Sequence, residues 1–141
     1  MSQLSDYLEQ NLLNHILNEV SFSVPTSTHV ALFTVTPSDS GGGTEVTGGA
    51  YARKYVAPNA SAATTKWNSA ASDPPGFVVD NAAEIAFPQA TANWGNVVAF
   101  GIFTHPTTGN LLYWGPLAAT KTVNANDTFK FAAGDLNLRL E

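Results

Sequence analysis

WGNVVAFGIFTHPTTGNLLYWG, residues 94–115, is the stretch whose reading decides the fold. Val97 to Phe103 is apolar throughout, with one glycine inside it. Thr104 to Asn110 supplies turn chemistry: a proline, a glycine, an asparagine and three threonines. Leu111 to Trp114 is apolar again. Short apolar runs bounded by Gly, Pro and Asn mark buried strands rather than helices. The stretch therefore reads as a hairpin. A strand apolar on both sides must be covered on both sides, so the hairpin is expected at the centre of a packed β structure. The alternation puts Val98, Phe100 and Ile102 on one face, and that face needs a cover from the chain itself or from a neighbouring subunit.

Outward from the hairpin, the same pattern recurs. On its N-terminal side, residues 28–36 form a β-branched and aromatic run that stops at Pro37 and the triplet Gly41 to Gly43. Residues 50–57 alternate, with Arg53 and Lys54 on opposite faces of a half-exposed strand. Residues 58–76 have loop composition, with Trp67 as their one large aromatic and room for a short strand at 64–68. Short strands are expected at 77–79 and at 83–87, where Ile85 and Phe87 share a face. On the C-terminal side, strands are expected at 117–123, at 128–132 with Phe129 and Phe131 inward, and at 136–140 with alternating leucines. Asn124 to Asp127 is a turn.

Residues 4–18 carry the single helical pattern. Leu4, Leu8, Leu12 and Ile16 recur every fourth position, and Leu13, Leu17 and Val20 widen the stripe. Asp6 and Glu9 suit the first turns, and Ser2 or Ser5 can cap them. The helix either packs on its own sheet or reaches onto a neighbour as an arm. The expected fold is thus mainly β, an antiparallel β-sandwich or barrel with one N-terminal amphipathic helix. Its parts are a helical arm over residues 1–20 and a β-sandwich over 28–141, in one domain.

Composition excludes several function classes. The 141 residues include no cysteine, which removes disulfides, thiol nucleophiles and cysteine-ligated zinc. Only 12% of residues are charged and the net charge is -5. Six basic residues give no footprint for nucleic acid or an anionic membrane. Such low charge fits a plain polar surface, or a surface covered by other subunits. The first residues hold no basic segment or apolar span of signal or transmembrane length, so the expected synthesis is cytoplasmic, without a signal peptide or membrane insertion.

Local chemistry is sparse. His15, His29 and His105 share no ligand spacing, so no metal site is expected. The glycine triplet lacks the Lys-Ser or Lys-Thr of a phosphate loop. No G-x-S-x-G elbow occurs. Asp39, Glu45, Asp73, Asp80, Glu84 and Asp127 lie far apart in sequence, so a carboxylate pair for glycan hydrolysis has no local support. No catalytic residue and no cofactor is expected. Tyr51 and Trp67, large aromatics among small polar residues, stand out as contact candidates.

Four blocks carry a family resemblance: HVALFTVTPSDSGGGTEVTGGAYAR from His29, EIAFPQATANWGNVVAFGIF from Glu84, GNLLYWGPL from Gly109 and NDTFKFAAGDLNLRL from Asn126. Together with the N-terminal helix they resemble small tailed-bacteriophage virion proteins, often labelled phage tail fibre proteins. The chain departs at Thr104-His105-Pro106, where an acidic residue is expected, and over residues 58–76. The resemblance implies a non-enzymatic structural component of the virion, with the major capsid protein or tail proteins as partners. The short, non-repetitive chain is closer in plan to a trimeric capsid decoration (cement) protein, which stabilises a shell through many modest contacts. The alternative is a tail-fibre or tail-tip module that binds a host surface receptor. Leu4, Leu8, Leu12, Tyr51 and Trp67 are the expected partner contacts.

Overall fold

A computed structural model describes residues 3–140. The described residues begin with a two-residue strand, β1 (Gln3–Leu4), and a helix, α1 (Asp6–Leu17). Strands β2 (Thr28–Val35), β3 (Thr44–Glu45) and β4 (Lys54–Val56) follow. Then come β5 (Ala71–Asp73), β6 (Gly76–Val79) and β7 (Ile85–Ala86). The long pair β8 (Gly95–Phe103) and β9 (Leu111–Val123) precedes β10 (Lys130–Phe131) and β11 (Leu138–Leu140).

The main sheet has the order β1-β9-β8-β2-β3, with β4 pairing the other end of β2. Every named pairing is antiparallel. The expected hairpin is its centre: β8 lies between β9 and β2. Two small sheets, β10-β7 and β11-β6-β5, accompany it, and among the described residues no sheet closes into a barrel. One continuous core joins Val30, Leu32, Phe100 and Ile102 of the main sheet to Ile85, Phe131 and Leu138 of the small ones. Phe129, Phe131 and Phe87 meet there edge to face, at centroid distances of 5.1–6.5 Å, the arrangement that ring quadrupoles favour.

The alternation expected along the hairpin fails at one point. Val97 pairs with Lys121 and Ala99 with Pro116, so two steps along β8 span five along β9. The extra residues bulge outward around Pro116, which has no N–H to give to a ladder. A strand that crosses a bulge changes which side chains face the core. Val97 therefore joins the large core together with Phe100 and Ile102, whereas Val98 packs with Ala31, Phe33, Ala99 and Phe103 on the opposite face. The bulge also merges two expected strands, 111–114 and 117–123, into one.

Other boundaries shift for local reasons. Ser5 caps α1: its Oγ accepts from the Leu8 N–H at 3.3 Å and donates to the Leu111 carbonyl. Leu4 is then outside the helix, paired with Tyr113. At the far end the N–H groups of Asn18 and Val20 both reach the Asn14 carbonyl, at 3.0 and 3.1 Å. Glu19 takes the left-handed conformation (φ 54°) that this closure requires, so Val20 leaves the helical stripe. Within residues 58–76 the regular strand is at 71–73 rather than 64–68. Lys66 and Trp67 make single bridges to Ala57 and Asn81 instead.

The glycine triplet is a tight loop with positive φ at all three positions. Gly43 is the constrained one: a Cβ there would lie 2.6 Å from the Val35 carbonyl oxygen and 2.8 Å from the Pro37 nitrogen. Gly43→Ala combines a left-handed penalty with a backbone clash, and is expected to destabilise the fold by about 2 kcal/mol or more. Urea denaturation of the variant against the parent measures this.

Candidate functional site

The five expected contact residues turn inward. Leu8 is buried in the large core, with Leu4, Leu12 and Tyr51 packed against it and half-buried. Trp67 is 8% exposed, and its indole N–H donates to Thr28 Oγ1 at 2.8 Å. The Tyr51 hydroxyl donates to Glu45 Oε1 and accepts from the Leu32 N–H, both at 2.9 Å. Its ring lies edge-on to Trp94 at 5.3 Å. Burial pushes the Tyr51 phenol well above its ordinary pKa, and the Glu45 carboxylate adds to this; the hydroxyl stays protonated. Each polar tip has a partner, which is why these aromatics fold inward.

The residue that sequence reasoning passed over is Arg53. Its Nε and Nη2 hold Glu45 in a two-point ion pair at 2.8 and 2.7 Å. Its Nη1 donates to the carbonyls of His105 and Thr108, at 2.9 and 2.8 Å. The guanidinium lies 3.7 Å above the Phe103 ring, which stacks on Phe33. Arg53 thus covers the second face of the main sheet and ties the β8–β9 turn to β3. The alternation of residues 50–57 put Arg53 and Lys54 on opposite faces, but gave no sign of which one meets the turn.

No group of three His, Asp or Glu side chains among the described residues is placed to hold a metal. The candidate carboxylates have structural partners. Glu45 pairs with Arg53, Asp73 with Arg139 and Glu84 with Lys130. Asp39 accepts the Trp114 indole N–H, Asp80 the Asn68 amide and Asp127 the Asn124 N–H. The histidines stay apart in role. His15 contacts the Val20 carbonyl and the Phe22 N–H, His105 Nδ1 meets the N–H groups of Thr107 and Thr108, and His29 contacts Ser27 Oγ.

Among the grooves on the surface, two border the elements described above. One, of about 560 Å³, has a mixed lining and lies between the start of α1, the glycine loop and the hairpin turn, with Asp6, Asp39 and Asn110 beside Phe33 and Phe103 in its wall. The other, of about 390 Å³, is apolar, with Trp67, Phe77, Tyr113 and Leu138 in its wall. A further apolar surface is the outer side of the N-terminal segment: Leu13, Ile16, Leu17, Val20 and Val24 are all exposed. The width of the leucine stripe held that signal, since Leu8 and Leu12 occupy only part of it.

The profile of one protein family, described as podophage GP4 fiber I protein gp80, matches residues 3–139. The chain belongs to that family. It is thereby related to a bacteriophage virion structural protein, and the match takes in the helix, the main sheet and both small sheets. No curated protein matches the sequence. Among the described residues no helix is long and apolar enough to cross a membrane.

Two predictions follow from the polar contacts. Arg53→Met leaves Glu45, with a quarter of its side chain exposed, without its cation. A loss of about 3 kcal/mol is expected, and Arg53→Lys recovers little because an ammonium cannot serve the carboxylate and both carbonyls together. A double-mutant cycle with Glu45→Gln reads the coupling. His29 is held below its ordinary pKa of 6.5, chiefly by burial, with the nearby charges of His105 and Arg53 adding to it. The unfolded chain therefore takes the proton first, and stability present above pH 6.5 declines as pH falls towards the lower folded value. His29→Gln is expected to flatten that decline, read as urea midpoints at pH 7 and at roughly pH 5.5.

Proposed function

We propose that this chain is a non-catalytic structural subunit of a podophage fibre, assembled in the virion with copies of itself and with other tail proteins. The observation that carries the reading is the extent of the family match. It runs over residues 3–139, so the whole folded unit, rather than a shared segment, corresponds to the fiber I protein. Tail location is thereby favoured over the capsid decoration role that the short chain first suggests. The engaged carboxylates support a structural role over a hydrolytic one. Receptor binding by the chain itself finds less support, because Tyr51 and Trp67, the aromatics expected to carry it, serve the core.

Gold-labelled antibody against the chain, imaged on intact particles, tests the location. Label confined to the tail or its fibres is expected; label spread over the icosahedral shell would overturn the reading. Particles lacking the chain are expected to keep the heat resistance of their shells while losing infectivity. A cement protein gives the opposite pattern.

A further inference from the structure

The tip of the turn between β8 and β9 is closed by an imidazole. His105 Nδ1 lies 3.3 Å from the Thr107 backbone nitrogen, 3.2 Å from that of Thr108 and 3.0 Å from Thr108 Oγ1. A backbone N–H only donates, so Nδ1 must accept, and it accepts only while it carries no proton. Asn and Asp close turns in the same way, through an oxygen on the same Cγ that bonds the backbone two residues on. An amide oxygen accepts at any ordinary pH. Histidine is the side chain that ordinarily changes charge between about pH 5 and 8.

We propose that His105 makes this tip an acid-released latch, closed by the neutral ring and opened by its protonation. A proton on Nδ1 removes the acceptor of both N–H groups and sets a positive charge against their positive ends. The surroundings add to the push. Arg53 Nη1 holds the carbonyls of His105 and Thr108, and its own charge is matched by Glu45. His29 on β2, with the Tyr55 ring 5.6 Å away, is close enough for the charge of His105 to oppose its protonation. Among the described residues no carboxylate is paired with His105, so the new charge meets no counter-charge. Closure requires the deprotonated ring, so it is complete at the upper end of the histidine range and is lost as pH falls. The base of the turn does not titrate. The Thr104 N–H donates to the Asn110 carbonyl at 3.1 Å, the Asn110 N–H donates to Thr104 Oγ1 at 3.0 Å, and Phe103 pairs with Leu111. Opening is thereby confined to residues 105–109. Gly109 lies in the wall of the 560 Å³ groove, so release reshapes that groove while the sheet persists.

The latch is independent of where the chain sits in the virion, since the purified chain reports on it directly. The experiment follows the full chain, labelled with nitrogen-15, by NMR from roughly pH 8 to pH 5. Ring nitrogen shifts of His105 give its tautomer and its titration. Amide exchange at Thr107 and Thr108, corrected for the intrinsic rate at each pH, gives the closure. The amides of Phe100 and Ile102 on β8 report on the sheet. His105→Asn supplies an acceptor that does not titrate, His105→Ala supplies none, and His29→Gln removes the neighbouring imidazole. His105 is exposed, so these turn variants leave the core untouched.

The expected result is a bare Nδ1 at the upper pH and a loss of protection at Thr107 and Thr108, on the order of tenfold, with the same midpoint as the ring. Phe100 and Ile102 keep their protection throughout. His105→Asn holds the tip closed at both ends of the range, His105→Ala leaves it open at both, and His29→Gln still shows the transition. A proton on Nδ1 at the upper pH, unchanged protection of the two threonines through the ring titration, or the same acid loss in His105→Asn would overturn the proposal. So would loss of protection at Phe100 and Ile102 together with the threonines, which is acid unfolding and no latch.

Discussion

The ion pair between Arg53 and Glu45 joins parts of the chain that no ladder connects. Glu45 sits on β3, whose pairing with β2 places it opposite Phe33. Arg53 lies next to β4, at the other end of the same edge. The turn from β8 to β9 reaches the pair through the carbonyls of His105 and Thr108. A carboxylate held by two guanidinium nitrogens and a tyrosine hydroxyl has fixed direction as well as charge. Tyr51 passes that direction inward, because its oxygen also accepts the Leu32 N–H. Turn, sheet edge and core are thereby held in one register. The guanidinium plane also covers Phe103, so one side chain supplies both the electrostatic tie and the apolar cover that the second face of the sheet requires.

This arrangement accounts for the sparse charge of the chain. Arg53, Lys130 and Arg139 each pair with a carboxylate. Lys66 holds the carbonyls of Asn59 and Ser61, and Lys121 lies 5.7 Å over the Phe129 ring. Most of the cations stitch the fold together, and the solvent face is left to Thr, Ser, Asn and Gly and to acidic side chains such as Asp6, Glu9 and Glu19.

Much of the fold was legible because it depends on local pattern. The buried hairpin, the turn at 124–127 and the inward Phe129 and Phe131 all follow from spacing and turn chemistry, and the N-cap was narrowed to Ser2 or Ser5, of which the structure uses Ser5. The parts that were not legible depend on contacts distant in sequence. Nothing local to Val97 announces that β9 carries extra residues around Pro116, so the side-chain parity of β8 could not be read from β8 alone. Trp67 and Tyr51 illustrate the same limit. Their neighbours are small and polar, which suggests exposure, yet Thr28 lies 39 residues from Trp67 and Leu32 lies 19 from Tyr51. A buried aromatic with a polar tip is decided by such a partner, and periodicity does not report partners.

The helix reconciles these two kinds of information. Its stripe is wider than docking needs, and width is a local property, visible at once. Which part of the width is used depends on where β9 holds the N-terminus. Ser5 donates to Leu111 and its N–H reaches Leu112, so the first turn is pinned to β9 at its N-cap. Rotation about the helix axis is then fixed, and Leu8 and Leu12 are turned inward. Leu13 and Leu17 are left outside by the same constraint, because residues five positions apart on a helix, as they are from Leu8 and Leu12, do not share one narrow face. A cap of two hydrogen bonds thus determines which leucines complete the core and which stay exposed.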